Sequence, residues 1–144
     1  MKALIFSNNN DYTGLVTRLT LGLILFPHGA QKALGWFGGP GFTSEMNYFT
    51  GTAHLPWIIA FLVIVIEFVG SICLIIGFAS RLWAIAIIIL FTGMIYTVHF
   101  SNGFFMNWFG NQPGEGFEYH LLIIGLSLIL LLNGSGKYSI DARI

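Results

Sequence analysis

The chain has 144 residues, of which 56% are hydrophobic, 16% aromatic and only 8% charged, with six basic and six acidic side chains and no net charge. Soluble domains carry roughly a quarter charged residues, so this composition points away from water and toward a lipid bilayer. The balanced charge and the lack of a basic run argue against nucleic acid as a partner, and the length suits one domain, 1–144.

The first apolar run, 12–34, lacks a short basic leader and a small-residue cleavage site, so it reads as a retained span rather than a cleavable signal peptide. A hydrocarbon core of roughly 30 Å takes about 20 apolar residues to cross. At about 100° per residue, Gly14, Arg18, Gly22, Leu25, His28, Gly29 and Lys32 fall on one face of that helix, and Pro27 should kink it. Small residues on this face permit close helix approach, so the stripe is expected to point inward.

A long loop, 35–55, follows, and loops of that length usually carry function. The second span, 56–78, opens on Pro56, where a missing N–H does no harm, and carries Glu67 near its middle. Cys73, the single cysteine, reads as a small apolar filler, since no disulfide or thiolate cluster can be built from it alone. Arg81 marks a tight turn into the third span, 82–100, which ends at His99. After a second loop, 101–117, the last span is expected over 115–133, drawing Glu118 and His120 below the headgroup level. The expected fold is therefore all-α: a bundle of four transmembrane helices, since only helices satisfy their own backbone in lipid. Lys2, Arg18, Arg81, Lys137 and Arg143 gather on one side of this arrangement, which the positive-inside rule makes cytoplasmic, termini included.

The two loops echo each other. His28 is followed by Trp36-Phe37-Gly38-Gly39-Pro40-Gly41, and His99 by Trp108-Phe109-Gly110-Asn111-Gln112-Pro113-Gly114. Two parallel two-helix repeats would explain the match; so would convergent interfacial chemistry, with tryptophan at the headgroups and Gly/Pro in turns.

Ionisable groups at bilayer depth are costly, roughly 2.5–3.5 kcal/mol each on insertion scales, so they should face one another or a polar pocket. Arg18 lies roughly 7 Å from the midplane by helical rise, within reach of Glu67, which suggests a buried Arg18–Glu67 ion pair. A proton- or ligand-binding role for Glu67 is the other reading. His28, Lys32, His99, Glu118 and His120 come out at one outer level on three helices, flanked by Trp36 and Trp108, and are expected to line a polar pocket; His54 could close it. Two histidines at one depth could ligate haem, and His99, Glu118 and His120 could take zinc, but no spacing signature asks for either, so no metal site is assigned. A cationic, imidazole-lined cavity among aromatics suits a quinone, whose carbonyl oxygens accept hydrogen bonds and whose reduction consumes protons.

The stretch Arg18-Leu19-x-Leu21-Gly22-x-x-Leu25-Phe26-x-His28-Gly29-x-x-Lys32, running into Gly35-Trp36-Phe37-Gly38-Gly39-x-Gly41, resembles the DoxX family of small four-helix membrane proteins. Glu67 with Gly70, Gly77 and Arg81, and Gly116-x-Glu118-Tyr119, fit the same family. The resemblance implies a four-helix bundle in a bacterial cytoplasmic membrane. It also implies a link to quinone-coupled redox complexes, because the family takes its name from the membrane subunit of a thiosulfate:quinone oxidoreductase that works with a second polypeptide. The expected role is a redox accessory subunit that binds a quinone or similar lipophilic molecule beside protein partners and is not active alone. The alternatives are a non-catalytic structural subunit of a respiratory or export complex, and a small proton-coupled transporter.

Overall fold

The computed structural model describes residues 6, 9 and 11–144; Lys2, used above for orientation, lies outside them. Among the described residues every regular element is helical. Helix α1 is Tyr12–Leu34, α2 is Gly41–Asn47, α3 is Trp57–Ile76, α4 is Ser80–Asn102 and α5 is Glu118–Asn133. Of these, α3 and α4 are long and apolar enough to cross a membrane, whereas α5 is a shorter apolar helix.

The bounds of α1 coincide with the expected span, because its ends are chemically marked. The Asp11 side chain accepts from the Gly14 N–H at 3.0 Å, closing the first turn. Gly35, at φ 72°, takes the left-handed residue that ends the helix, its N–H returning to the carbonyls of Ala30 and Gln31. Pro27 does not end the helix, which runs unbroken through it. The last helix is the correction: it starts at Glu118, not 115, because the backbone N–H groups of Phe117 and Glu118 bond back to the Gly103 and Phe104 carbonyls and fold 115–117 into the preceding loop.

Helix α1 packs against α3 and α5, and α4 runs along α5. Leu21, Leu25, Leu74, Ala84, Ile87, Phe91, Ile123 and Leu130 form the shared core. Met46, Ala60 and Ile64 make a smaller one under α2. Small residues let helix backbones approach closely and so set the register. A Cβ on Gly22 would come within 2.9 Å of the Ser71 carbonyl oxygen, and one on Gly29 within 2.5 Å of the Glu67 carbonyl oxygen. These contacts lie two turns apart on one face, and they fix how far α1 slides along α3.

Arg18 is 2% exposed, and it does not meet Glu67. Its guanidinium donates to the carbonyls of Leu74 and Ile75 at the end of α3, and to those of Ser135, Lys137 and Tyr138 in the segment after α5. The last carbonyls of a helix have no internal partner, and a cation there also suits the helix dipole. The same segment supplies Asp141, whose carboxylate accepts from the N–H groups of Ala79 (2.7 Å) and Ser80 (3.0 Å) at the start of α4 and from the Ser135 hydroxyl. One end of the molecule is thus tied together by the start of α1, the α3–α4 turn and residues 134–143. The polar cavity lies toward the other end.

Candidate functional site

Within α3 the backbone widens to a π-helical turn over Ile66–Gly70, and Glu67 sits in it, 2% exposed. Such single wide turns are frequent at functional positions because they aim a side chain off the regular helical face. Gly29 lies against the Glu67 backbone, and Lys32, about one turn further along α1, reaches the carboxylate: Nζ to Oε2 is 2.6 Å, with side-chain exposures of 18% and 3%. Glu67 therefore pairs with Lys32 in place of the expected Arg18. The physical reason is register. Gly22 against Ser71 and Gly29 against Glu67 shift α3 about one turn relative to helices aligned on their own midpoints. That shift sets Arg18 at the carbonyl end of α3 and brings Lys32 level with Glu67.

The Lys32–Glu67 pair opens onto a cavity of about 520 Å³. From α1, Leu25 and His28 also line it; from α4, Phe91, Met94 and His99; and from α5, Tyr119 and His120. Met106 and Glu115 reach it from the loop. His99 ends a second π-helical turn, Ile95–His99, and its Nδ1 lies 2.8 Å from the Glu115 carbonyl oxygen. A carbonyl only accepts, so Nδ1 carries the proton and neutral His99 keeps Nε2 as an acceptor. The rings of His99 and His120 lie 4.1 Å apart, centroid to centroid, which leaves no gap for an iron between them. His120 is 4% exposed and its Nδ1 has no hydrogen-bond partner; the buried Tyr119 hydroxyl has none either. Buried polar atoms are paired in the great majority of cases, so two such atoms on one cavity wall point to a partner from outside the chain.

Glu118 leaves the cavity wall for a different task. Its Oε1 accepts from the Met106 N–H (2.9 Å) and the Trp108 indole N–H (3.2 Å), while Glu115 Oε2 accepts from the Asn107 N–H (2.7 Å). The two carboxylates pin the 103–117 loop, whose Met106 and Glu115 line the cavity. Trp108 and Trp36 are exposed and line no part of the cavity, and His54 is exposed in irregular chain. The loop echo is thus split: His28 and His99 both line the cavity, but Pro40 leads into α2 whereas Pro113 lies in irregular chain. Glu45, on α2, is half-buried. Burial raises its carboxyl above the usual range, with Glu67 adding to the rise and Lys32 opposing it.

Sequence reasoning missed Tyr119, Glu115, Phe91 and Met94 as lining residues. Tyr119 was read as part of the Gly116-x-Glu118-Tyr119 motif and Phe91 as part of an apolar run, neither as a lining residue, and a buried hydroxyl has no signature in sequence. Among the described residues no three of His, Cys, Asp and Glu come together as a metal-ligand group.

Residues 14–100 match the family model described as DoxX. The chain is 30% identical over 127 residues to a Bacillus subtilis (strain 168) protein named "Putative oxidoreductase CatD", a match that spans 88% of this chain and 83% of that one. No solved structure matches it.

Proposed function

The chain belongs to the DoxX family, and on that premise we propose that it is a membrane redox subunit whose polar cavity receives a quinone or similar lipophilic carbonyl compound. In this reading α1, α3, α4 and α5 are four transmembrane helices in a bacterial cytoplasmic membrane. The end held by Arg18, Arg81, Lys137 and Arg143 faces the cytoplasm, as the positive-inside rule asks. The cavity then lies in the outer part of the bilayer.

The observation that carries the reading is the set of buried polar atoms left for a ligand. Tyr119 Oη and His120 Nδ1 lack protein partners, and the Lys32–Glu67 pair lines the same cavity. Lys32 and the Tyr119 hydroxyl can donate to carbonyl oxygens, and His99 Nε2 can accept a proton. Leu25, Phe91 and Met94 supply apolar surface for a flat ring. The name of the Bacillus subtilis relative supports redox chemistry. With one cysteine the chain has no dithiol of its own, so a partner protein would exchange electrons with the ligand.

The test is binding of a benzoquinone analogue to the protein in nanodiscs, read by tryptophan quenching, together with extraction of lipids from protein purified in mild detergent. Tyr119→Phe removes a hydroxyl that no protein group uses, so folding should be unharmed while affinity falls several-fold, in line with about 0.5–1.5 kcal/mol for one hydrogen bond. Arg143→Ala, exposed at the opposite end, should bind as wild type. Wild-type protein that shows no saturable quenching and carries no quinone from the membrane would hand the case to the structural-subunit reading.

A further inference from the structure

A second cavity, about 580 Å³, lies between α3 and α4. Its walls include Leu62 and Ile66 from α3 and Trp83, Leu90, Gly93 and Thr97 from α4. The Thr97 hydroxyl is already engaged with the Gly93 carbonyl at 2.8 Å, so it asks nothing of a ligand. The groove is cut between the two helices that are long and apolar enough to cross a membrane, so in a bilayer it meets hydrocarbon chains rather than water.

The groove and the polar cavity are neighbours. Met94 lines both. The π-helical turn of α3 presents Ile66 to the groove and the adjacent Glu67 to the cavity. One methionine thus stands at the boundary, and methionine, unbranched and with three rotatable bonds, adapts to what passes it.

We infer that the two cavities form one binding site for an amphiphile, with a polar carbonyl-bearing head beside Lys32 and Glu67 and a hydrocarbon tail laid past Met94 into the α3–α4 groove. This rests on the function proposed above for the polar cavity and adds the substrate class: a lipid-soluble molecule with a long chain, entering sideways from the bilayer, and not a water-soluble carbonyl compound. An apolar tail in a preformed apolar groove gains dispersion contacts that lipid packing supplies less well.

The experiment compares a decyl-substituted dimethoxy-methyl-benzoquinone with its tail-less parent, both titrated into nanodiscs and expressed as mole fraction in the membrane so that partitioning cancels. A Cβ added at Gly93 meets nothing within 4 Å, so Gly93→Leu should fill the groove without strain. Gly125→Leu, at an equally open glycine on α5, is the matched control. Wild type and Gly125→Leu should bind the decyl compound several-fold tighter than the parent. In Gly93→Leu that preference should vanish while affinity for the parent stays unchanged. An undiminished preference in Gly93→Leu, or an equal loss for both compounds, overturns the groove and leaves the polar cavity standing. No saturable binding of either compound to wild type overturns the cavity reading and the groove with it.

Discussion

The Lys32–Glu67 bond can be separated from the Arg18 clamp by double-mutant cycles. Glu67 is 2% exposed and its partner lies 2.6 Å away, so neither charge has much water to fall back on. Removing one member of such a pair typically costs about 3–5 kcal/mol, because the other is left buried and uncompensated. For a chain of this size each kcal/mol moves the thermal midpoint by about 2–4 °C, so Glu67→Gln and Lys32→Met should each lower it by roughly 6–20 °C in detergent. The double variant should recover much of that loss. Arg18→Met should also destabilise strongly, since it removes the guanidinium from the carbonyls of Ile75, Ser135, Lys137 and Tyr138 and leaves Leu74 only the Gly77 N–H, but combined with Glu67→Gln it should be additive, because the two groups share no partner. The readout is a melting curve followed by circular dichroism or tryptophan fluorescence. Additivity in the Lys32/Glu67 cycle, or strong coupling in the Arg18/Glu67 cycle, would refute the register argument on which the site is built.

Asp141→Ala should cost about 1–3 kcal/mol by leaving the buried N–H groups of Ala79 and Ser80 unpaired, with Asp141→Asn losing less; thermal melts decide it. Gly29→Ala should force α1 from α3 and destabilise by about 1–3 kcal/mol, whereas Gly125→Ala, with open space around it, should be neutral or stabilising by up to about 1 kcal/mol. Equal effects from these two glycines would count against close α1–α3 contact. Glu45 is raised by burial, so from about pH 4.3 upward the folded state holds the proton longer than the unfolded one, and stability falls as pH rises through that window. Glu45→Gln should flatten that part of the melting-temperature profile; an unchanged slope would mean that another group sets it.

Helix positions could be read from the chain to within a few residues, because apolar runs are local properties. The inward stripe of α1 was legible for the same reason: seven-residue spacing puts Gly22 and Gly29 on one face whatever packs against them. What those residues would touch was not legible. Aligning each helix on its own midpoint sets Arg18 near Glu67, and a slide of about one turn exchanges that partner for Lys32. The slide is decided by contacts between two distant stretches of sequence. The role of Glu118 was hidden likewise, since only the fold of 103–117 brings Met106 and Trp108 to its carboxylate. His28, Lys32, His99 and His120 were recoverable as a group because depth alone gathers them, and all of them line the cavity.

The Arg18 clamp also orders events during biosynthesis. A ribosome makes α1, with its guanidinium, long before Ser135, Lys137, Tyr138 and Asp141. Until they arrive, Arg18 has only the end of α3 to bond, and the α4 N-terminus has no carboxylate over it. The clamp is thus closed by residues 135–141, which follow every helix that it ties together. A chain that stops after α5 therefore leaves the Arg18 guanidinium with only the Leu74 and Ile75 carbonyls of its five acceptors.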